Sequence, residues 1–135
     1  MKVLLDTNVL VYDTVEDSDY HGEAARIVDE AREIYVPSIV VHEYIWVMLK
    51  TVQAPPTFVS QKIKEYIEDP RVVYILELPE ILAYALKFLE EDKASAKEVN
   101  DYIILATALH YNLVLATFDK ELKSRAVKRG LKVIP

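Results

Sequence analysis

The sequence contains no cysteine, which excludes a disulfide framework, a thiolate metal site and a cysteine nucleophile. Any metal must therefore be held by oxygen or histidine. The three histidines, His21, His42 and His110, are poorly placed for ligation. His42 neighbours Glu43 but points about 100° away from it on a helix, His110 follows Asp101 by nearly a whole number of half-turns and faces the other way, and His21 falls in a loop. A zinc hydrolase and a Ser/His/Asp enzyme are both disfavoured. Long apolar runs are missing too. The longest apolar helix candidate, Ile39 to Leu49, is too short to span a bilayer and contains His42 and Glu43. The start has neither the hydrophobic region nor the small-residue cleavage site of a signal peptide. The expectation is a soluble cytoplasmic protein with no membrane partner. The acidic stretch Asp13 to Asp19 has no glycine and no metal-loop spacing, and it reads as a solvent-facing loop.

What is present suits one domain over residues 1–135 with a single sizeable core. Apolar residues make up 52% of the chain, with nine tyrosines and one tryptophan, which is rich enough to suggest that a second subunit or partner covers part of the surface. The net charge of −6 is uneven. From Thr117 to Pro135, six basic residues face only Asp119 and Glu121, a net of +4, which leaves −10 for the rest. A basic end beside an acidic body suits a polyanion arriving near a metal site, and Lys120, Lys123, Arg125 and Lys128 are the candidates for contact with its backbone.

Along the chain, Val3 to Leu5 reads as a buried strand that ends at Asp6. In open parallel sheets ligands bind at the carboxyl ends of strands, above all where the strand order reverses. Val9 to Tyr12 is apolar without a clear period, and His21 to Glu33 is an amphipathic helix. Ile34 to Val36 is a second strand, completing a βαβ unit whose crossover should be right-handed. Pro37 and Ser38 open a helix to Lys50, with Ser38 as its cap. That helix reads as apolar nearly all round and therefore buried, yet it carries Glu43. A second helix runs from Phe58 to Glu68 with Phe58, Ile63 and Ile67 inward. A strand covers Val72 to Leu76, and a helix covers Pro79 to Glu91 with Ile81, Leu82, Ala85, Leu86 and Leu89 inward. Ser95 and Glu98 have capping-box spacing ahead of a helix starting near Ala96, with Asn112 as a left-handed stop. Asp101 lies inside that helix, so capping does not explain it. Leu113 to Ala116 is a fourth buried strand ending in Thr117-Phe118-Asp119, followed by a helix over Lys120 to Arg129, a stop at Gly130 and a closing strand from Leu131 to Ile134.

Four acids stand out: Asp6 and Asp119 at strand ends, and Glu43 and Asp101 early in two otherwise apolar helices. A cluster of like charges is unfavourable without a counter-charge, and an oxygen-only ligand set suits Mg²⁺ or Mn²⁺. Such an ion improves a water nucleophile and neutralises charge on a phosphate, so no histidine base is needed.

The segments LLDTNVL, PSIVVHEY, NDYIILATA and LATFD, taken in this order and spacing, resemble the PIN-domain ribonucleases, and among them the VapC-like toxins of prokaryotic toxin–antitoxin pairs. The resemblance implies an α/β fold, a three-layer α/β/α domain with a central parallel sheet. It further implies Mg²⁺- or Mn²⁺-dependent endonucleolytic cleavage of RNA that leaves 5′-phosphate and 3′-hydroxyl ends. Asp6, Glu43, Asp101 and Asp119 match the family's acidic, metal-binding positions, and Asn8 and Thr117 match its supporting polar ones. A homodimer and a small inhibitory antitoxin are the implied partners. Tyr44 after the second acid and Lys120-Glu121-Leu122 after the last depart from the usual pattern. The alternatives are a housekeeping RNA-processing nuclease of the same fold and a non-catalytic PIN scaffold that binds RNA or protein. A phosphoacceptor receiver domain needs an acidic pair where Asp6-Thr7-Asn8 supplies one acid, and an Asp-x-Asp phosphatase fails at Asn8 for the same reason.

Overall fold

The computed structural model describes residues 1–135. Five strands, β1 (Lys2–Leu5), β2 (Glu33–Pro37), β3 (Val72–Ile75), β4 (Val114–Ala116) and β5 (Val133–Ile134), form one parallel sheet in the order β3-β2-β1-β4-β5. The helices are α1 (Thr7–Thr14), α2 (His21–Glu30), α3 (Ser38–Lys50), α4 (Pro56–Glu68), α5 (Pro79–Glu91), α6 (Val99–His110) and α7 (Lys120–Lys128). They flank the sheet in a three-layer α/β/α arrangement. The chain lays down β1, β2 and β3 toward one edge, then returns to the other side of β1 to place β4 and β5. The order therefore reverses between β1 and β4, and a crevice opens beyond their carboxyl ends.

The two central strands are the most deeply buried part of the molecule. Leu4, Leu5, Leu115 and Ala116 have no exposed surface, and Leu5 pairs with Ala116 in the register that brings Asp6 beside Thr117. The ladder continues one step further, with the Asp6 amide donating to the Ala116 carbonyl at 2.9 Å.

Several local expectations change. The segment from Val9 to Tyr12 is helical, because Asp6 caps it: extended at φ −71° and ψ 159°, it accepts the Thr7 amide. The acidic loop accordingly begins after Thr14, and Asp13 is half-buried and accepts the Tyr66 hydroxyl at 2.6 Å. His21 begins α2, where the amphipathic pattern starts, and does not lie in a loop; its Nδ1 is 2.9 Å from the Tyr12 carbonyl. Ser38 is the first helical residue and not the cap. Its hydroxyl donates to Glu77, which also accepts the Ile39 amide at 3.0 Å, so a carboxylate from beyond β3 closes the α3 N-terminus.

The burial pattern is narrower than the apolar pattern. Val40, Val41, Tyr44 and Met48 face inward from α3, while Trp46 is 64% exposed and Leu49 is exposed as well. On α5 only Ile81 and Ala85 are buried, and Leu82 and Leu86 face outward; on α4 Val59 is buried and Phe58 is exposed. β3 ends at Ile75, so Leu76 lies past the sheet and is exposed. Hydropathy marks residues that tolerate burial, and it does not say which of them the layers have room for. The capping box at Ser95 and Glu98 forms, but a 3₁₀ turn over Ala96–Glu98 precedes α6. Asn112 (φ 53°) and Gly130 (φ 86°) take the left-handed conformation that ends α6 and follows α7. Leu115→Ala, which empties the centre of the sheet, should lower stability to urea by about 2–5 kcal/mol.

Candidate metal centre at the switch point

Asp6 ends β1 and is only 6% exposed. Its Oδ1 accepts the Thr7 amide at 2.7 Å and its Oδ2 accepts the Thr117 hydroxyl at 2.7 Å. Thr117, itself 1% exposed, also accepts the Asp119 amide at 3.0 Å and lies 3.5 Å from Asn8 Nδ2. Asn8 reaches across with its oxygen and accepts the Phe118 amide at 3.2 Å. One network therefore ties the start of α1 to the β4–α7 turn, with Asp6 on its floor.

Asp119 caps α7 through one oxygen, Oδ1, which accepts the Glu121 and Leu122 amides at 2.9 and 3.1 Å. Oδ2 is left without a protein hydrogen bond. Glu43 comes from α3, its Oε1 accepting the Thr7 hydroxyl at 3.0 Å and its Oε2 lying 3.5 Å from Asn100 Nδ2. Asp101 sits in the first turn of α6 and has no hydrogen-bond donor on its carboxylate. The four acids line a single cleft of about 760 Å³ together with Asn8 and Asn100.

The electrostatics register this crowding. Burial raises Asp6 to about 6, with the Glu43 and Asp119 charges adding to it and the bonds from Thr117 and Thr7 opposing it. Burial also raises Asp101 to about 7, reinforced by Asp6, Asp119 and Glu43 and moderated by Arg125. The cluster has no cation bonded to it. Nor do any three carboxylate or imidazole side chains form a ready-made cage. The donor set nonetheless fits a hydrated hard cation: it is all oxygen, under-compensated, and keeps uncommitted oxygens on Asp101 and Asp119. Mg²⁺ takes one or two carboxylates and retains waters, so it needs no closed cage.

The basic candidates are mostly engaged elsewhere. Arg125 bonds Glu98 and Glu121 (3.0 Å to the latter) and lies over the Tyr102 ring at 5.1 Å. Lys123 donates to the Pro135 carbonyl at 2.8 Å and Lys128 to Asp92 at 3.2 Å. Lys120, exposed beside Asp119, forms no ion pair. His42 is exposed at the cleft, while His110 stands 3.9 Å from Glu80 on α5. Sequence reasoning missed Thr7 and Asn100 as the groups that hold Glu43. Their only signal was adjacency, since each flanks one of the acids.

The sequence profile of the PIN domain matches residues 3–128. The chain belongs to the PIN-domain family. No curated protein matches it in sequence. Among solved structures, Mycobacterium tuberculosis VapC20, described as a toxin cleaving the sarcin–ricin loop, has a TM-score of 0.77 at 13% identity, over 90% of this chain and 93% of that one. The VapBC2 structure of Rickettsia felis, bound to a fragment of promoter DNA, has a TM-score of 0.71 at 20% identity over 99% and 98% of the chains. VapBC-1 of nontypeable Haemophilus influenzae has a TM-score of 0.70 at 21% identity over 99% and 97%. At these identities the likeness is one of fold, and it extends over essentially the whole PIN domain.

Two outcomes follow from the charge crowding. Because Asp6 and Asp101 are raised above their unfolded value, the folded state holds extra protons between about pH 4 and pH 7, and metal-free stability falls as pH rises through that window. With solvent screening at this part-exposed carboxyl reducing the effect, Asp101→Asn should therefore stabilise the metal-free protein by roughly 1–2 kcal/mol at pH 8 in urea titrations, the gap closing by pH 4. Thr117→Val should do the opposite, costing about 1–3 kcal/mol by stripping a buried carboxylate of its donor, with the larger loss at pH 8, where Asp6 is ionised.

Proposed function

We propose that this PIN domain is a Mg²⁺- or Mn²⁺-dependent endoribonuclease and the toxin of a toxin–antitoxin pair, working in the cytoplasm. The observation that carries the reading is the convergence of Asp6, Glu43, Asp101 and Asp119 on one cleft at the sheet's switch point, with no cation bonded to them. When bound there, a divalent ion would activate water and neutralise charge on the phosphate. Asp6, Glu43, Asp101 and Asp119 would hold it, directly or through water. Thr117 and the Thr7 amide fix both oxygens of Asp6, while the Thr7 hydroxyl and Asn100 orient Glu43. Asp101, free of donors, is the carboxylate able to turn toward the attacking water and take its proton. Water oxygen bonds to phosphorus as the bond to O3′ breaks, and the departing O3′ takes up a proton. The products carry 5′-phosphate and 3′-hydroxyl ends.

The partners we assign are RNA, a small antitoxin and a second copy of the chain. Support for the antitoxin comes from the fold likeness to chains solved as VapBC structures. Support for the homodimer comes from exposed apolar side chains past the edge strand β3 and along one flank of α5, Leu76 and the pair Leu82 and Leu86.

End-labelled single-stranded RNA with Mn²⁺ should be cut by the native protein, at least 100-fold more slowly by Asp101→Asn, and not at all with excess chelator. Equal cutting by the variant would remove Asp101 from the site. Metal binding without cutting of any RNA would favour the non-catalytic scaffold. Leu82→Glu combined with Leu86→Glu should halve the mass measured by light scattering; an unchanged mass would move the dimer contact elsewhere.

A further inference from the structure

Trp46 is the single tryptophan of the chain and its most exposed aromatic residue, yet it lines the same cleft as the carboxylates. Tyr12, the other aromatic ring of the cleft, is packed against Tyr20 and Phe118 with ring centroids 5.2 and 5.3 Å away. Trp46 stacks on no other aromatic ring, and the Lys50 ammonium lies 5.7 Å from its centroid. The α3 core face of Val40, Val41, Tyr44 and Met48 does not require the indole. Its exposure therefore calls for an occupant.

The order of residues along the helix indicates which one. Glu43, Trp46 and Lys50 lie at i, i+3 and i+7 of α3, within about 60° of one another and spread over roughly 10 Å of helix. Read outward from the carboxylates, that stripe presents an acid of the proposed metal centre, a solvent-exposed indole and an ammonium beside it. A single nucleic-acid strand presents phosphate, base and phosphate. Single-stranded RNA is bound by stacking its splayed bases on aromatic rings while cations take the backbone. An apolar peptide would also cover the indole, but it would gain nothing from Lys50.

We propose that Trp46 is a nucleobase subsite: the base next to the scissile phosphate stacks on the indole, and the following phosphate is taken by Lys50. This rests on the endoribonuclease reading and deepens it, because it makes the substrate at the cleft single-stranded and gives the protein a base contact that helps set where it cuts. Stacking tolerates any base, so the subsite favours unpaired RNA more than it favours a sequence.

Trp46 is also the reporter. Adding a mixed-sequence 12-nucleotide single-stranded RNA with Mg²⁺ should quench its emission, whereas inorganic polyphosphate, which has charge without bases, should leave it unchanged. In cleavage assays with Mn²⁺, Trp46→Ala should raise KM for single-stranded RNA about tenfold with kcat and metal affinity near native, and Trp46→Phe should recover most of the loss. Native KM in Trp46→Ala, or RNA bound without quenching, overturns the subsite and leaves the indole to a protein partner, while the nuclease reading stands. Quenching by RNA that the native protein fails to cut supports the subsite and overturns the nuclease. Absence of RNA binding overturns the subsite.

Discussion

Repulsion among Asp6, Glu43, Asp101 and Asp119 is the constraint that the surrounding polar groups answer to. Two carboxylates about 4 Å apart repel by something like 4 kcal/mol at an effective dielectric near 20, a sizeable part of a domain's whole stability. The fold accommodates this by bringing each acid in on a different element and giving three of them neutral donors. Asp6 is held by an amide and a hydroxyl, Asp119 by two amides at a helix start, and Glu43 by Thr7 with Asn100 nearby. Neutral donors fix a carboxylate without cancelling its charge. A salt bridge would have fixed it as well and left nothing for a metal.

The switch point between β1 and β4 explains why acids so distant in sequence meet. Asp6 and Thr117 adjoin because Leu5 and Ala116 are register partners, and α1 starts at once because Asp6 doubles as its cap. The approach of Asp101 depends on α6, whose first turn is set by the Ser95–Glu98 capping box and by the bond from Arg125 to Glu98. Arg125, in the last turn of the helix that Asp119 caps, bonds both Glu98 ahead of α6 and Glu121 in the first turn of α7, and so ties the two helices together.

Much of this was readable beforehand. Strand-end acids, acids early in apolar helices and the capping box are local patterns, and the sheet assembled as a parallel α/β architecture. What escaped was set by tertiary context. The helix at Thr7 was hidden because its cap is also a site residue, so one aspartate served two readings. Leu82 and Leu86 were hidden because an apolar residue on a helix does not say whether the face beside it will be covered. Ser38 looked like a cap by type, but the α3 N-terminus took its carboxylate from Glu77, far along the chain. Arg125 looked like a free cation and became an internal strut.

The engagement of the basic residues bears on the order of events. With Arg125, Lys123 and Lys128 each tied to partners within the chain, the cations left to set against the four acids are Lys120, next to Asp119, and Lys50, two turns beyond Glu43 on α3. If the cleft takes RNA as proposed, the four acids alone would repel the strand, and a divalent ion held among them would attract it. On the proposed nuclease reading, entry would be sequential, ion first and RNA second, and the local ion concentration would gate encounter before it acts on chemistry.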